Sequence, residues 1–279
     1  MRSLHPRARR GGPPGAAAGR QSPTAGAPAP VAPRGRRPAA GAAASGGSAV
    51  AAGSVSVVLL AGGVGKRMGA PMPKQYLELG GKPIAAHSLS VFAGLPEVLE
   101  VVVVCEPEYR DLFRAHAGGR ELKFALPGAE RQDSVQSGLA AASPAAALVA
   151  VHDSARPLVT PAEIRACLAD AAEHGAAVLG VPVKPTIKEC DDSGFVTATL
   201  QRARLWEVQT PQVVRPELLR QGFELVAREG LEVTDDVSVV EALGEPVKVT
   251  LGQYTNIKVT TPDDMSIAER FLSERAAEA

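Results

Sequence analysis

From residue 56 onward the chain alternates between two patterns. Predominantly apolar, largely β-branched runs at Val57–Ala61, Val98–Cys105, Leu148–His152, Ala176–Val183 and Val247–Leu251 read as strands buried on both faces. Stretches with helical spacing lie near 83–94, 131–142, 161–174, 216–228, 235–243 and 262–276. Strands separated by helices imply βαβ units. The predicted class is therefore α/β, a doubly wound three-layer sandwich around a mostly parallel sheet. Ligands of such sheets bind beyond the carboxyl ends of the strands, so chemistry is sought in the residues that follow each run.

One segment breaks the alternation. Residues 184–204 contain a turn at Asp192-Ser-Gly194 between two strand-like stretches, which predicts a β-hairpin projecting from the sheet. An exposed hairpin carrying Ile, Phe, Val and Thr has unpaired edges unless another chain covers them. It is expected to be a dimerisation arm exchanged between two copies of the chain, the alternative being an ordinary surface excursion. Trp206, just beyond it, is expected in the core.

Composition changes the picture only at the N-terminus. At 279 residues, with 45% apolar and 22% charged, the chain has the make-up of a soluble globular protein. Without 18 uninterrupted apolar residues, a membrane-spanning helix is not expected. The net charge of zero conceals two unlike parts, because residues 1–53 hold eight Arg and no Lys, Asp or Glu. Taking those eight from thirty leaves 22 basic against 30 acidic residues over 54–279, a net of −8. An acidic body argues against a nucleic-acid-binding surface.

The leader itself is Ala-, Gly- and Pro-rich and lacks the apolar mass to offset the entropy of folding. It is expected to be disordered. Arg-rich, acid-free composition without an apolar h-region fits an organellar transit peptide, against the alternative of a non-functional basic extension. Residues 54–279 then form the working domain. Cys105, Cys167 and Cys190 are spaced too widely for a C-x-x-C motif and read as small core or surface residues.

The first strand runs into Ala61-Gly-Gly-Val-Gly-Lys-Arg-Met68, followed by Pro73-Lys-Gln-Tyr76. Glycines let backbone N–H groups approach phosphate oxygens, while Lys66, Arg67 and Lys74 supply charge to a polyanion. The loop is neither a Walker A motif nor a dinucleotide fingerprint, so it reads as a nucleotide phosphate site or as a tight turn with solvated charges.

This run resembles the signature of nucleotidyltransferases with a GT-A-like Rossmann fold, and among them the 2-C-methyl-D-erythritol 4-phosphate (MEP) cytidylyltransferase family. Similar motifs recur in the family's order at Asp133-Ser134-Val, His152-Asp-Ser-Ala-Arg-Pro157, Thr210-Pro-Gln212, Thr234-Asp-Asp236 and Asn256-Ile-Lys-Val-Thr260. The resemblance thus spans about residues 55–275. It implies a Rossmann-like fold and CMP transfer from CTP to MEP, with release of pyrophosphate.

The resemblance also implies roles for particular residues. Arg67 and Lys74 would act on the triphosphate and the transition state, with Lys66 auxiliary. The backbone of Ala61, Gly62, Gly63 and Gly65 would cradle base and phosphates. Gly128 and Ser134 would read cytosine, although Ser134 equally suits a helix cap. Glu130-Arg-Gln departs there from a more acidic family pattern. Asp153 would hold Mg²⁺, or another divalent cation, and contact substrate hydroxyls, the alternative being a turn-forming Asx. Arg156 would bind the MEP phosphate, and His152 is expected to be packed rather than catalytic. Thr234 and Lys258 would contact the acceptor from the same subunit, although Thr234 also suits a helix cap. Thr186 and Arg202 would come from the neighbouring subunit, or be plain hairpin surface.

Two competing readings are a ribitol 5-phosphate cytidylyltransferase, which shares the CTP site, and a non-catalytic nucleotide-binding scaffold. The scaffold is expected to have lost one of Arg67, Lys74, Asp153 and Lys258, and all four are present. The transit-type leader together with these motifs favours MEP and the plastid stroma.

Overall fold

The buried runs assemble into one seven-stranded sheet. The computed structural model describes residues 50–63 and 72–278. All but the last four residues of the expected leader lie outside the described residues, as do Gly65, Lys66 and Arg67.

In chain order the elements are β1 (Val55–Leu60), the pair β2 (Glu78–Leu79) and β3 (Lys82–Pro83), α1 (Ile84–Ala93), β4 (Val98–Val104), α2 (Arg110–His116) and β5 (Leu122–Ala125). They continue through α3 (Arg131–Ala141), β6 (Leu148–Asp153), α4 (Pro161–His174), β7 (Ala176–Pro182), β8 (Lys188–Cys190) and β9 (Val196–Thr199). The last are β10 (Trp206–Val214), α5 (Pro216–Glu229), α6 (Ser238–Ala242), β11 (Lys248–Leu251) and α7 (Pro262–Glu278). The sheet order is β11-β7-β10-β6-β1-β4-β5. All neighbours are parallel except β10, which runs antiparallel to both β6 and β7.

Alternate residues of each strand serve opposite layers, because successive strand side chains point to opposite faces. Val57, Leu59, Val101 and Val103 pack with α1 and α4 through Leu89, Phe92, Ile164 and Leu168. Val58, Val102, Val104 and Val151 face α3 and α5 through Val135, Leu139, Leu219 and Phe223. At about 1.5–3 kcal/mol for each fully buried large aliphatic side chain, these two interfaces hold the three layers together. From β1 the chain pairs outward to β4 on one side and to β6 on the other. The crevice beyond the carboxyl end of β1 is thus a topological switch point.

The expected hairpin is present as β8 and β9, paired antiparallel, with Gly194 at φ 83° in a turn closed by its N–H to Asp191 O (2.9 Å). It is an enlarged connection between the antiparallel neighbours β7 and β10. Two corrections follow. Trp206 is not core: it lies at the root of the hairpin and is 39% exposed. And β10, read only as motif and loop from sequence, is a central strand. Its ladder to β7 skips between Val208 and Gln212, so Gln209, Thr210 and Pro211 bulge out of register. The bulge accommodates Pro211, which has no ladder donor, and turns Thr210 toward β6.

Candidate active site

Beyond the ends of β1 and β6 lies a cleft of about 510 Å³. Lys74, Gly62, Gly63, Gly128, Ser134, Asp153 and Lys258 all line it, bringing together seven of the residues singled out from sequence. Arg156, Thr186, Arg202 and Thr234 stand outside. Thr234 borders a smaller neighbouring depression that shares Glu130 and Arg131 with the cleft.

One wall is the exit of β1. Gln75 Nε2 donates to the carbonyls of Ala61 (2.6 Å) and Gly63 (2.8 Å), and Tyr76 OH also donates to Ala61 O (2.6 Å). With Ala61 N–H bonded to Val104 O (2.9 Å), the backbone of Ala61 is committed inward. Gly62 is therefore the first residue of the loop available to a ligand. A Cβ on it would stand 2.3 Å from Pro127 Cβ, so glycine is what lets this strand end meet the opposite rim. The short 3-10 turn Lys74–Tyr76 places Lys74 over the cleft, where Nζ donates to Val259 O (2.5 Å).

The opposite rim is Pro127–Ser134. Gly128 N–H donates to Ser134 Oγ (3.0 Å), and that hydroxyl donates on to Glu130 O (3.2 Å). Ser134 is thus not the cap of α3, whose N-cap is Glu130. It lies within the first turn and shapes the loop ahead of the helix. Asp133 accepts the Glu130 N–H (3.0 Å) and completes the turn.

At the floor sits Asp153. Lys258 Nζ is 2.6 Å from Oδ2, while Arg131 reaches Oδ1 with Nη2 at 3.2 Å and Nε at 3.3 Å. The Arg131 fork also binds Asp236 bidentately, at 2.7 and 2.8 Å. Burial alone would raise the Asp153 carboxyl, but Arg131 and Lys258 outweigh it and hold it well below the usual carboxylate range. Burial disfavours the Arg131 charge, yet Asp236 and Asp153 overcompensate and raise it. Asp236 is lifted by burial, with the Arg131 fork as its main opposing influence. Two buried anions and two cations thus neutralise one another, as a partly dry site demands.

Asp153 is steadied through its backbone too, since its N–H donates to Thr210 Oγ1 (3.1 Å) from the bulge of β10. The segment carrying Lys258 docks beside it through Val259 N–H to Ala155 O (2.8 Å) and through Asn256 Nδ2 to Thr210 O (3.0 Å). Arg156 points away from the cleft, donating to Asn256 O (2.7 Å) and Val208 O (3.3 Å). Thr186 and Arg202 are exposed at the two ends of the hairpin, where Arg202 Nη1 donates to Lys184 O (2.6 Å). His152 is wholly buried, as expected, and burial lowers its imidazole to about 4.

Sequence reasoning gave no role to Gln75, Thr210, Arg131 or Asp236, although all stand in or beside motifs it quoted. For Arg131 a weak signal was present: it opens α3, where the helix dipole disfavours a cation, a position that an acidic partner makes favourable.

No group of three or more His, Cys, Asp or Glu among the described residues can hold a metal ion. A divalent cation carried in on phosphate oxygens needs as little as one protein carboxylate. Asp153 fits that need if Lys258 or Arg131 yields one of its oxygens.

Comparisons with known proteins identify the family. The profile of the family described as "IspD: 2-C-methyl-D-erythritol 4-phosphate cytidylyltransferase" matches residues 55–274. The chloroplastic enzyme of that name from Oryza sativa subsp. japonica is 62% identical over 231 residues, covering 82% of this chain and 78% of its own. The crystal structure of the cytidylyltransferase from Thermus thermophilus is 34% identical with a TM-score of 0.63, over 78% of this chain and 98% of that one. The 4-diphosphocytidyl-2C-methyl-D-erythritol synthase of Anaerococcus prevotii is 26% identical with a TM-score of 0.70, over 79% and 99%. With the profile matching well over half of the chain and these folds superposing on it, the chain belongs to the 2-C-methyl-D-erythritol 4-phosphate cytidylyltransferase family.

Proposed function

We propose that the cleft carries out the family's reaction, transfer of CMP from CTP to MEP to give CDP-methylerythritol and pyrophosphate, by fixed charge rather than by a protein base. The observation that carries this reading is the chemistry of the walls. Lys74 and Lys258 flank a glycine-lined strand end, and among the described residues neither histidine nor cysteine lines the cleft. A phosphate monoester is already an anion at neutral pH. An oxygen of the MEP phosphate forms the new bond to the α-phosphorus, and the bond from that phosphorus to the β-phosphate oxygen breaks. No proton needs to be removed. The barrier is the approach of two polyanions and the charge on equatorial and leaving oxygens, which positioned cations lower.

In this reading Lys74, with Arg67 and Lys66 of the loop, holds the triphosphate while Gly62, Gly63 and Gly65 approach it. Gly128 and Ser134 present the rim that reads cytosine. Asp153 orients substrate hydroxyls and offers an oxygen to Mg²⁺, which when bound adds charge neutralisation at the phosphates. Lys258 forms the acceptor side with Thr234 from the neighbouring depression, and Arg156 would join them by turning from the carbonyls of Asn256 and Val208 toward the acceptor phosphate.

The same reading makes the enzyme a homodimer. An isolated two-stranded hairpin is marginal in water, yet β8 and β9 project with Phe195 73% and Val196 57% exposed. A second copy covering this arm would bring the partner's Thr186 and Arg202 to the acceptor. Co-expressed Lys74→Ala and Arg202→Ala chains are then expected to regain about a quarter of wild-type turnover, since half of random pairs contain one intact site of two. Activity equal to the mean of the two separate variants would rule out exchange.

The chloroplastic rice relative and the Arg-rich leader support a plastid-stroma location for the mature enzyme, and no helix among the described residues is long and apolar enough to cross a membrane. The decisive assay offers MEP and ribitol 5-phosphate with each of the four nucleoside triphosphates. Exclusive use of CTP and MEP is expected, and preference for ribitol 5-phosphate would reject the acceptor.

A further inference from the structure

His152 and Thr210 sit beneath the cleft without touching it, and their hydrogen bonds have a single consistent direction. His152 Nε2 is 3.2 Å from Arg156 O, and a carbonyl can only accept, so Nε2 carries the proton. In the neutral ring Nδ1 is then an acceptor, and its partner at 3.1 Å is the Thr210 hydroxyl, which must donate. The same Oγ1 retains lone pairs and accepts the Asp153 N–H at 3.1 Å. The chain therefore runs from Asp153 N–H through the Thr210 hydroxyl and the His152 ring to Arg156 C=O. Both of its ends lie on one turn, which Arg156 N–H also closes directly by donating to Asp153 O (2.9 Å). Phe92 packs edge-on against the imidazole, with ring centroids 5.0 Å apart, and the ring is fully buried.

We propose that His152, fixed as the Nε2–H tautomer, and Thr210 act as positioning residues that set the Asp153–Arg156 turn and so the placement of the Asp153 carboxylate and the Arg156 guanidinium. The inference rests on the reading above that these two residues serve the substrates. The register skip in β10 gives it a structural basis, since without the bulge Thr210 would remain in the ladder and not face β6. Displacing a reacting group by about 1 Å can lower turnover by about a hundredfold, so two residues remote from the substrates can matter to rate.

The tautomer is read on the unaltered protein by nitrogen-15 NMR with labelled histidine, the His152 signal being assigned by its loss in His152→Phe. A ring protonated at Nε2 and bare at Nδ1 is expected, and an Nδ1-protonated ring overturns the inference. In kinetics, Thr210→Val is expected to lower kcat/KM by about 10- to 100-fold. Thr210→Ser, which restores the hydroxyl, should recover most of that loss. His152→Phe should behave like Thr210→Val, and the double variant should be no worse than the poorer single one, because the two break the same chain. Full activity in Thr210→Val, no recovery in Thr210→Ser, or losses that multiply each overturn the relay. Asp153→Asn separates the two ideas. Impaired Asp153→Asn beside fully active Thr210→Val removes the relay alone, whereas unimpaired Asp153→Asn removes the reading of the turn on which it rests.

Discussion

An Arg131→Met protein is expected to melt about 6–12 °C below the wild type, taking about 3 kcal/mol for a broken buried ion pair and about 2–4 °C per kcal/mol at this size. Methionine matches the length of the arginine stem but leaves two carboxylates facing each other. Asp236 is 2% exposed and would lose the fork that opposes its burial. Asp153 would keep its ion pair with Lys258. Activity should fall as well, because Asp236 belongs to the segment that carries Thr234. The double variant Arg131→Met/Asp236→Leu tests the account, since a hydrophobic pair of similar volume often replaces a buried ion pair without loss. Its stability should recover while its turnover does not. If the single variant melts like the wild type, the charge cluster contributes nothing to the fold.

Lys74→Ala should show the opposite balance, with turnover falling about 10²- to 10³-fold, the range for removing one preorganised electrostatic donor. The fold should lose about 1.5–3 kcal/mol, the range for a hydrogen bond from a charged donor such as that from Nζ to Val259 O, which is a smaller effect than the loss of turnover. Steady-state kinetics beside a thermal melt separate the two quantities. A variant that keeps full turnover removes Lys74 from the chemistry, and one that fails to fold assigns it a structural role instead.

The parallel strands and the long helices were legible because their signals are one-dimensional. β1, β4, β6 and β7 are dominated by apolar residues, and β11 is marked by the flanking Val247 with Val249 and Leu251, while α4 begins at Thr160-Pro-Ala-Glu163, where Thr160 and Glu163 cap one another. β10 escaped because its apolar positions are split by Gln209, Thr210 and Pro211, and proline in a run argues against a central strand. The bulge that resolves this conflict depends on pairing with β6 and β7, which no local pattern encodes. β5 and α2 are short and interrupted by charge, and both are placed only by their neighbours. In the site, Lys74, Asp153 and Lys258 could be picked from motifs as chemical types in suggestive places. The double salt bridge of Arg131 could not, since Asp153 and Asp236 are 22 and 105 residues from it along the chain. Local order reveals which residue types are present, and tertiary folding decides which of them meet.

The position of the arm within the sheet has a separate consequence for how such a protein can change over time. Residues 183–205 bridge two adjacent antiparallel strands whose ends, Pro182 and Trp206, are already paired. A tight turn could close that gap, so the sheet places almost no constraint on what is inserted there. The excursion can exchange its apolar tip while the cleft of its own chain, none of whose lining residues lies in it, is preserved. The self-association proposed for the arm is thereby a trait that evolution or an engineer can retune separately from the fold.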